Sequence, residues 1–230
     1  MKNKWMRKFS GLAAGLLFAV TVLTGCGNSN ETVQKSTSNE AVSDQNEKAQ
    51  GTSAEDGTAE GNLLAGKHYV DIQMKDLGTI RVELDADSAP ITVTNFVNLV
   101  KGGFYDGLTF HRIIEGFMMQ GGDPTGTGVG GSENTIKGEF SGNGVDNLLS
   151  HKRGAISMAR SSDPDSASSQ FFIVHQDSLY LDGSYAVFGY VTEGMEIVDE
   201  ICESATGQDK NGVLPAKNQP VIESIIYVGQ

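Results

Sequence analysis

The stretch that decides the fold spans residues 110–123 and reads FHRIIEGFMMQGGD. It contains the greater part of two strand-like apolar runs, at residues 109–114 and 117–120. On the period-two alternation of a strand, Arg112 lies on the same face as Phe110 and Ile114. A cation among apolar neighbours is costly unless it has a partner or a task. The alternative is an arginine whose stem packs while its head group reaches solvent, and the pattern alone leaves both open.

Further short apolar runs surround this stretch. Apolar residues that alternate with polar ones predict a hairpin with strands at 70–74 and 80–84. A proline in the first turn and apolar residues at 3–4 spacing predict a helix at 90–100. The apolar residues Ile197, Val198 and Ile201 predict a second helix at 195–202. The remaining strands are predicted at residues 109–114, 117–120, 155–159, 171–175, 186–191 and 221–228. Eight strands with two helices predict a mainly β fold, an antiparallel barrel or sandwich, rather than a layered α/β fold.

The stretch at 110–123 resembles the core signature of cyclophilins, the peptidyl-prolyl cis-trans isomerases. The resemblance keeps its order and spacing over residues 68–228, through four more motifs: Ser157-Met158-Ala159, Ser169-Gln170-Phe171-Phe172-Ile173, Leu181-Asp182-Gly183 and Val187-Phe188-Gly189. It implies a closed eight-stranded antiparallel β-barrel capped by two α-helices. It also implies that substrate lies on the outer face of the barrel, so that Arg112 faces a groove beside an apolar pocket.

The resemblance further implies a role for individual residues. Arg112 is expected to be the catalytic cation, and Gln120 to act beside it. The other expected substrate contacts hold the proline ring or line the groove: Phe117, Met118, Gly128, Ala159, Gln170, Phe172, Tyr180, Leu181 and Tyr185. Twisting a peptide bond costs about 18–20 kcal/mol because resonance is lost. A catalyst need only bind the twisted amide better than the planar forms, so we expect no cofactor and no metal.

Three positions depart from the family pattern. Tyr180 stands where many members have a Trp that contacts cyclosporin, so we expect cyclosporin binding to be possible but weakened. Tyr185 stands where a His lines the proline pocket. Because Tyr keeps a ring face and a hydroxyl, catalysis is expected to survive both changes. Arg160 replaces a common Asn beside the groove, which is expected to alter the preference for the residue near proline.

Several other signals are interpreted as structural. The run GTGVGG at residues 126–131 matches the G-x-G-x-x-G pattern of nucleotide-binding loops, but no helical repeat follows it, so phosphate binding is not expected. No histidines have metal-ligand spacing, and His151-Lys152-Arg153 is interpreted as a solvated basic loop. Cys202 is interpreted as a buried, apolar residue of a helix.

Residues 1–25 are predicted to be a lipoprotein signal peptide. Four basic residues precede an apolar stretch of about 13 residues, which is shorter than the roughly 20 residues of a membrane-spanning helix. The sequence Leu23-Thr24-Gly25-Cys26 resembles the lipobox of bacterial lipoproteins. It implies an acylated Cys26 that anchors the chain to the outer face of the bacterial cytoplasmic membrane. The alternative is an ordinary signal peptide in which this cysteine occurs by chance.

The segment after the signal peptide, residues 26–66, has the composition of a linker. From residue 27 it contains seven acidic and two basic residues and no aromatic one, which predicts disorder.

Residues 67–230 are predicted to form the isomerase domain. With 17 basic and 29 acidic residues the chain has a net charge of −12, which argues against nucleic acid as a partner. The expected partners are Xaa-Pro segments of unfolded or newly secreted proteins. The alternative function is a tethered binding module for proline-containing peptides with little turnover.

Overall fold

The computed structural model describes residues 62–230 as eight strands, two α-helices and three single-turn 3-10 helices. The two α-helices are α1, Pro90–Lys101, and α2, Met195–Ser204. The strands, in chain order β1 to β8, are Lys67–Met74, Gly78–Asp85, Phe110–Ile114, Met118–Gly121, Ala155–Met158, Phe171–Val174, Val187–Glu193 and Ile222–Gly229. The prediction of a mainly β fold with eight strands and two helices is confirmed.

The eight strands form one antiparallel sheet in the order β3-β4-β6-β5-β7-β2-β1-β8. The two edge strands approach each other through an isolated bridge between Thr109 and Val221. Beside it, Phe110 N–H donates to the Pro220 carbonyl over 3.0 Å, and Ile222 N–H donates to the Leu108 carbonyl over 2.8 Å. β3 and β8 therefore meet by a few hydrogen bonds rather than by a strand-length ladder. Closure into a complete barrel stays a prediction.

The main core lies on one face of this sheet and includes the buried side of both helices. Phe96 of α1 is fully buried, and its ring centroid lies 5.1 Å from that of Tyr105, 5.4 Å from that of Phe171 and 5.2 Å from that of Phe188. The contact with Phe171 is edge-to-face, and such contacts add specific geometry to the burial of large apolar surfaces. α1 is thereby fixed against β6 and β7, the strands next to the site described below.

A second, smaller apolar cluster lies on the opposite face of the sheet. Alternation places Met119 and Phe171 in the main core, while their chain neighbours Met118 and Phe172 belong to the second cluster. Ala155, Val174 and Val187 complete its buried part. The outer face of the sheet is therefore apolar where β4, β6, β5 and β7 run side by side, which provides a floor for a ligand site.

Arg112 departs from simple alternation. Phe110 packs in the main core, whereas Ile114 packs against the second cluster, so the expectation that Arg112 shares a face with both is wrong. The register with β4 shifts here: Phe110 pairs with Gly121 and Arg112 with Gln120, which leaves His111 as an extra residue. A bulge of this kind redirects the following side chains. It aims Arg112 at the outer face together with Ile114.

Ordered contacts of the domain extend to the residues just before β1. Leu64 N–H donates to Thr94 Oγ1 of α1 over 2.9 Å, and Gly66 N–H donates to Asp87 Oδ1 over 2.7 Å. The predicted signal peptide, Cys26 and most of the predicted linker lie outside the described residues. Within residues 62–230, neither α-helix has the length and apolar character of a membrane span.

Candidate active site

Arg112 lies half-buried on β3 and is held by two neutral oxygens. Its Nε donates to the Asn211 carbonyl over 2.8 Å, and its Nη1 donates to Gln120 Oε1 over 3.2 Å. Burial lowers the pKa of Arg112, and the nearby Tyr185 and Asp209 oppose this effect. An arginine remains charged in proteins even so. The site therefore presents a fixed cation whose remaining N–H groups are available to a ligand.

The backbone segment that accepts from Arg112, residues 209–213, is itself held by the carboxylate of Asp209. Asp209 Oδ1 accepts the N–H of Asn211 over 2.8 Å and that of Val213 over 2.9 Å. The segment then runs along β3, where Ile113 N–H donates to the Gly212 carbonyl over 2.9 Å. Sequence reasoning did not identify Asn211, because it acts through a backbone carbonyl and its own side chain carries no signal.

A chain of amide hydrogen bonds extends from Arg112 along the sheet. Gln120 Nε2 donates to Gln170 Oε1 over 2.8 Å, and Gln170 Nε2 donates to the carbonyls of Gly130, over 2.6 Å, and Gly128, over 3.1 Å. Each amide accepts from one side and donates to the other, which fixes both amide orientations. Gln120, Gln170 and Gly128, which the sequence predicted to line the groove, are therefore brought together.

A cavity of about 140 Å³ opens beside the guanidinium. Its lining combines two arginines and one amide with apolar and aromatic side chains: Arg112, Phe117, Met118, Gln120, Ala159, Arg160, Phe172, Leu181 and Tyr185. Eight of the eleven residues predicted for the catalytic and substrate-binding site lie in this lining. A small apolar cavity with a few aimed polar groups is the usual form of a ligand site.

The wall of this cavity rests on a buried histidine. The His151 ring is stacked on Phe172 with centroids 5.9 Å apart, and it is fully buried, so its interpretation as part of a solvated loop is wrong. Its Nδ1 lies 2.7 Å from Asp182 Oδ1, and its Nε2 lies 3.0 Å from Ser157 Oγ. Burial lowers the pKa of His151, and the Asp182 carboxylate opposes this effect. Its basic neighbours in sequence concealed its burial.

A larger cavity of about 520 Å³ adjoins the first one, and the two share Gln120, Ala159 and Arg160. Its other side is formed by the glycine-rich loop at residues 126–131, which wraps around the carboxylate of Asp123. Asp123 accepts the backbone N–H groups of Thr125 over 2.7 Å and Gly128 over 2.6 Å. Burial would raise the pKa of Asp123, but these hydrogen bonds prevail and lower it to about 2. The N–H groups of the loop that bind Asp123 are thus already occupied.

The positions that depart from the family pattern differ in their placement. Arg160 lies between two rings, 4.7 Å from the centroid of Tyr185 and 5.1 Å from that of Phe140, and it donates twice to the Ser184 carbonyl. It therefore braces Tyr185 against the cavity. Tyr180 does not line the cavity: it is 73% exposed and packs over Phe117 with ring centroids 6.0 Å apart.

Comparisons with known proteins agree with this geometry. A family model described as cyclophilin type peptidyl-prolyl cis-trans isomerase/CLD matches residues 69–225. The chain belongs to the cyclophilin family. This match covers all of the cavity-lining residues and most of the domain. The chain is therefore a peptidyl-prolyl cis-trans isomerase.

Individual cyclophilins resemble the chain over most of their own length. The peptidyl-prolyl cis-trans isomerase B of Bacillus subtilis is 50% identical over 123 residues, which are 54% of this chain and 82% of that protein. The enzyme of Helicobacter pylori is 43% identical over 166 residues, or 71% and 89% of the two chains. A crystal structure of a Cryptosporidium parvum cyclophilin, solved in the presence of the dipeptide Ala-Pro, superposes with a TM-score of 0.62 at 32% identity. It covers 70% of this chain and 99% of that one.

Proposed function

We propose that the domain isomerises Xaa-Pro bonds of unfolded or newly secreted proteins and that Arg112 stabilises the twisted amide. The observation that carries this proposal is the fixed Arg112 guanidinium at the edge of a small apolar cavity. The cavity holds the proline ring, while Gln120 orients the cation and, with Gln170, lines the path of the peptide backbone. The Cryptosporidium relative studied with Ala-Pro supports a proline-containing ligand.

The mechanism follows from the electronic structure of the amide. When the bond is twisted, resonance is lost and the proline nitrogen regains a lone pair that can accept a hydrogen bond. A guanidinium fixed near that nitrogen stabilises the twisted state and gains little from the planar amide. Only such a difference between the two states accelerates the reaction, by about ten-fold for each 1.4 kcal/mol. The apolar wall excludes water that would otherwise compete for the cation.

Exchange spectroscopy by NMR with an Xaa-Pro peptide separates the enzyme from the alternative, a binding module with little turnover. Uncatalysed exchange takes tens of seconds or longer, so a catalytic amount of the full chain should produce cis–trans exchange cross-peaks that the free peptide lacks. A pure binding module would shift and broaden the peptide signals without producing these cross-peaks. Binding without exchange would therefore contradict the enzymatic proposal for this chain.

We also propose that Cys26 carries the lipid that holds the chain at the outer face of the cytoplasmic membrane. The support for it is the lipobox-like sequence Leu23-Thr24-Gly25-Cys26 behind a short apolar stretch. Several acyl chains on one residue anchor a protein stably, whereas a single chain binds membranes reversibly. Clients that emerge from the secretion machinery would meet the enzyme there, and slow proline steps would limit their folding.

Labelling with a fatty-acid analogue in bacteria tests the anchor. The wild-type chain should incorporate the label and sediment with membranes, and Cys26→Ser should do neither because the acylated thiol is lost. Cys202→Ser is the matched control, since Cys202 is buried in α2 and its thiol pKa is raised to about 12 by burial. Equal membrane association of the wild type and Cys26→Ser would contradict lipid anchoring.

We also propose that the chain binds cyclosporin and that Tyr180 weakens this binding. Tyr180→Trp should tighten cyclosporin binding by about ten-fold, because the larger ring buries more apolar surface beside Phe117. The measurement is the dissociation constant by titration of the full chain, with turnover without the drug as the control. An unchanged dissociation constant would show that Tyr180 does not limit this affinity.

A further inference from the structure

The turn between β3 and β4 positions one rim of the small cavity. It runs from Ile114 to Phe117, and the Phe117 N–H donates to the Ile114 carbonyl over 3.0 Å. Gly116 has a φ of +75°, which glycine adopts without strain at the third position of such a turn. Phe117 follows directly and presents its ring to the cavity and to Tyr180. Whatever fixes this turn also fixes Phe117.

His175, at the end of β6, holds the turn at two points. Its backbone N–H donates to the Phe117 carbonyl over 2.8 Å, and its Nδ1 lies 2.9 Å from the backbone nitrogen of Gly116. An amide can only donate, so Nδ1 must accept and the ring proton must be on Nε2. His175 is 3% exposed, so water does not readily replace this acceptor.

The other ring nitrogen connects the turn to helix α2. His175 Nε2 lies 3.2 Å from Asp199 Oδ1, and Arg153 forms a forked pair with the two Asp199 oxygens over 2.7 and 2.8 Å. The hydrogen bonds from Arg153 lower the pKa of Asp199, and the opposing effect of burial is smaller. Asp199 is therefore an ionised acceptor. Arg153 also donates to the His175 carbonyl over 2.9 Å. The imidazole therefore joins two elements with one fixed orientation.

We infer that His175 is a positioning residue for isomerisation: its Nδ1 holds Gly116 at the end of β6 and so sets the Phe117 rim of the proline cavity. The inference rests on the proposed role of that cavity. His175 touches neither the cavity nor Arg112, and it acts only through Gly116 and Phe117. Its loss should weaken substrate binding while leaving the electrostatic stabilisation at Arg112 unchanged.

Two substitutions of similar size separate the two functions of the imidazole. In His175→Asn the side-chain oxygen takes the place of Nδ1, so the Gly116 contact is kept and the Asp199 contact is lost. In His175→Gln the amide reaches the position of Nε2, so Asp199 is kept and Gly116 loses its acceptor. We expect His175→Gln to raise KM by about two- to ten-fold, the range that corresponds to one hydrogen bond, with little change in kcat. His175→Asn should have a KM close to that of the wild type.

The measurements are KM, kcat and Tm of the full chain, with Ile201→Ala as the control. Ile201 is a buried residue of α2 that contributes to the core, so its loss reduces stability without removing the contact to Gly116. Equal KM values for His175→Asn and His175→Gln would overturn the inference, as would a comparable rise in KM for Ile201→Ala. Failure of the proposed Arg112 mechanism would appear in kcat of Arg112→Ala and not in this comparison.

Discussion

Arg112→Ala should reduce kcat/KM for an Xaa-Pro peptide by about 100-fold or more, with most of the loss in kcat. Removal of one aimed donor from a pre-organised site costs about 10²–10³ in rate. The large effect is expected because Arg112 is half-buried, fixed by Asn211 and Gln120, and positioned beside an apolar cavity. The measurement is cis-to-trans relaxation of the peptide with the purified full chain.

Two further arginine variants decide what the loss means. Arg112→Lys keeps a cation but cannot hold both neutral oxygens through a planar fork, so its activity should lie between those of the wild type and Arg112→Ala. Arg81→Ala is the control, because Arg81 forms a forked pair with Asp71 on the neighbouring strand and lines neither cavity. A folded Arg112→Ala chain with wild-type turnover would overturn the electrostatic mechanism.

The extent to which the sequence predicts this molecule differs between the strands and the site. Strand and helix positions follow from local periodicity, and each predicted element is present within a few residues. The face of Arg112 does not follow, because the bulge at His111 shifts the register by one residue. Such a bulge depends on pairing with β4, which strict alternation along a single strand cannot represent.

The supporting residues of the site illustrate the same limit. Arg112 and the aromatic residues of the cavity were found through the family resemblance, and the structure brings most of them together. The sequence pattern places His151 in a solvated loop and gives no specific role to His175, yet each joins segments that are distant along the chain. Their partners Asp182 and Asp199 follow them by 31 and 24 residues, respectively, a separation that no local pattern spans. Only the tertiary fold makes these pairs visible.

Phe172→Ala should lower both turnover and stability. Phe172 is 5% exposed and forms the cavity wall between His151 and Tyr185, with ring centroids 5.9 and 6.0 Å away. Its truncation should reduce the free energy of unfolding by about 3–5 kcal/mol. The proline ring loses one apolar wall, which should reduce kcat/KM by about 10- to 100-fold, chiefly through KM. Denaturant unfolding and peptide kinetics on the same preparation measure the two effects.

The neighbouring residue supplies a matched control for this prediction. Phe171 precedes Phe172 on β6 but points into the main core, where its ring meets those of Phe96, Tyr105 and Phe110. Phe171→Ala deletes the same atoms and should be equally destabilising, yet the folded fraction should retain the wild-type KM. If truncation prevents folding, Phe171→Leu and Phe172→Leu make the same comparison with smaller losses. A KM that rises equally in both variants would mean that general loosening of β6, rather than a lost proline contact, controls substrate binding.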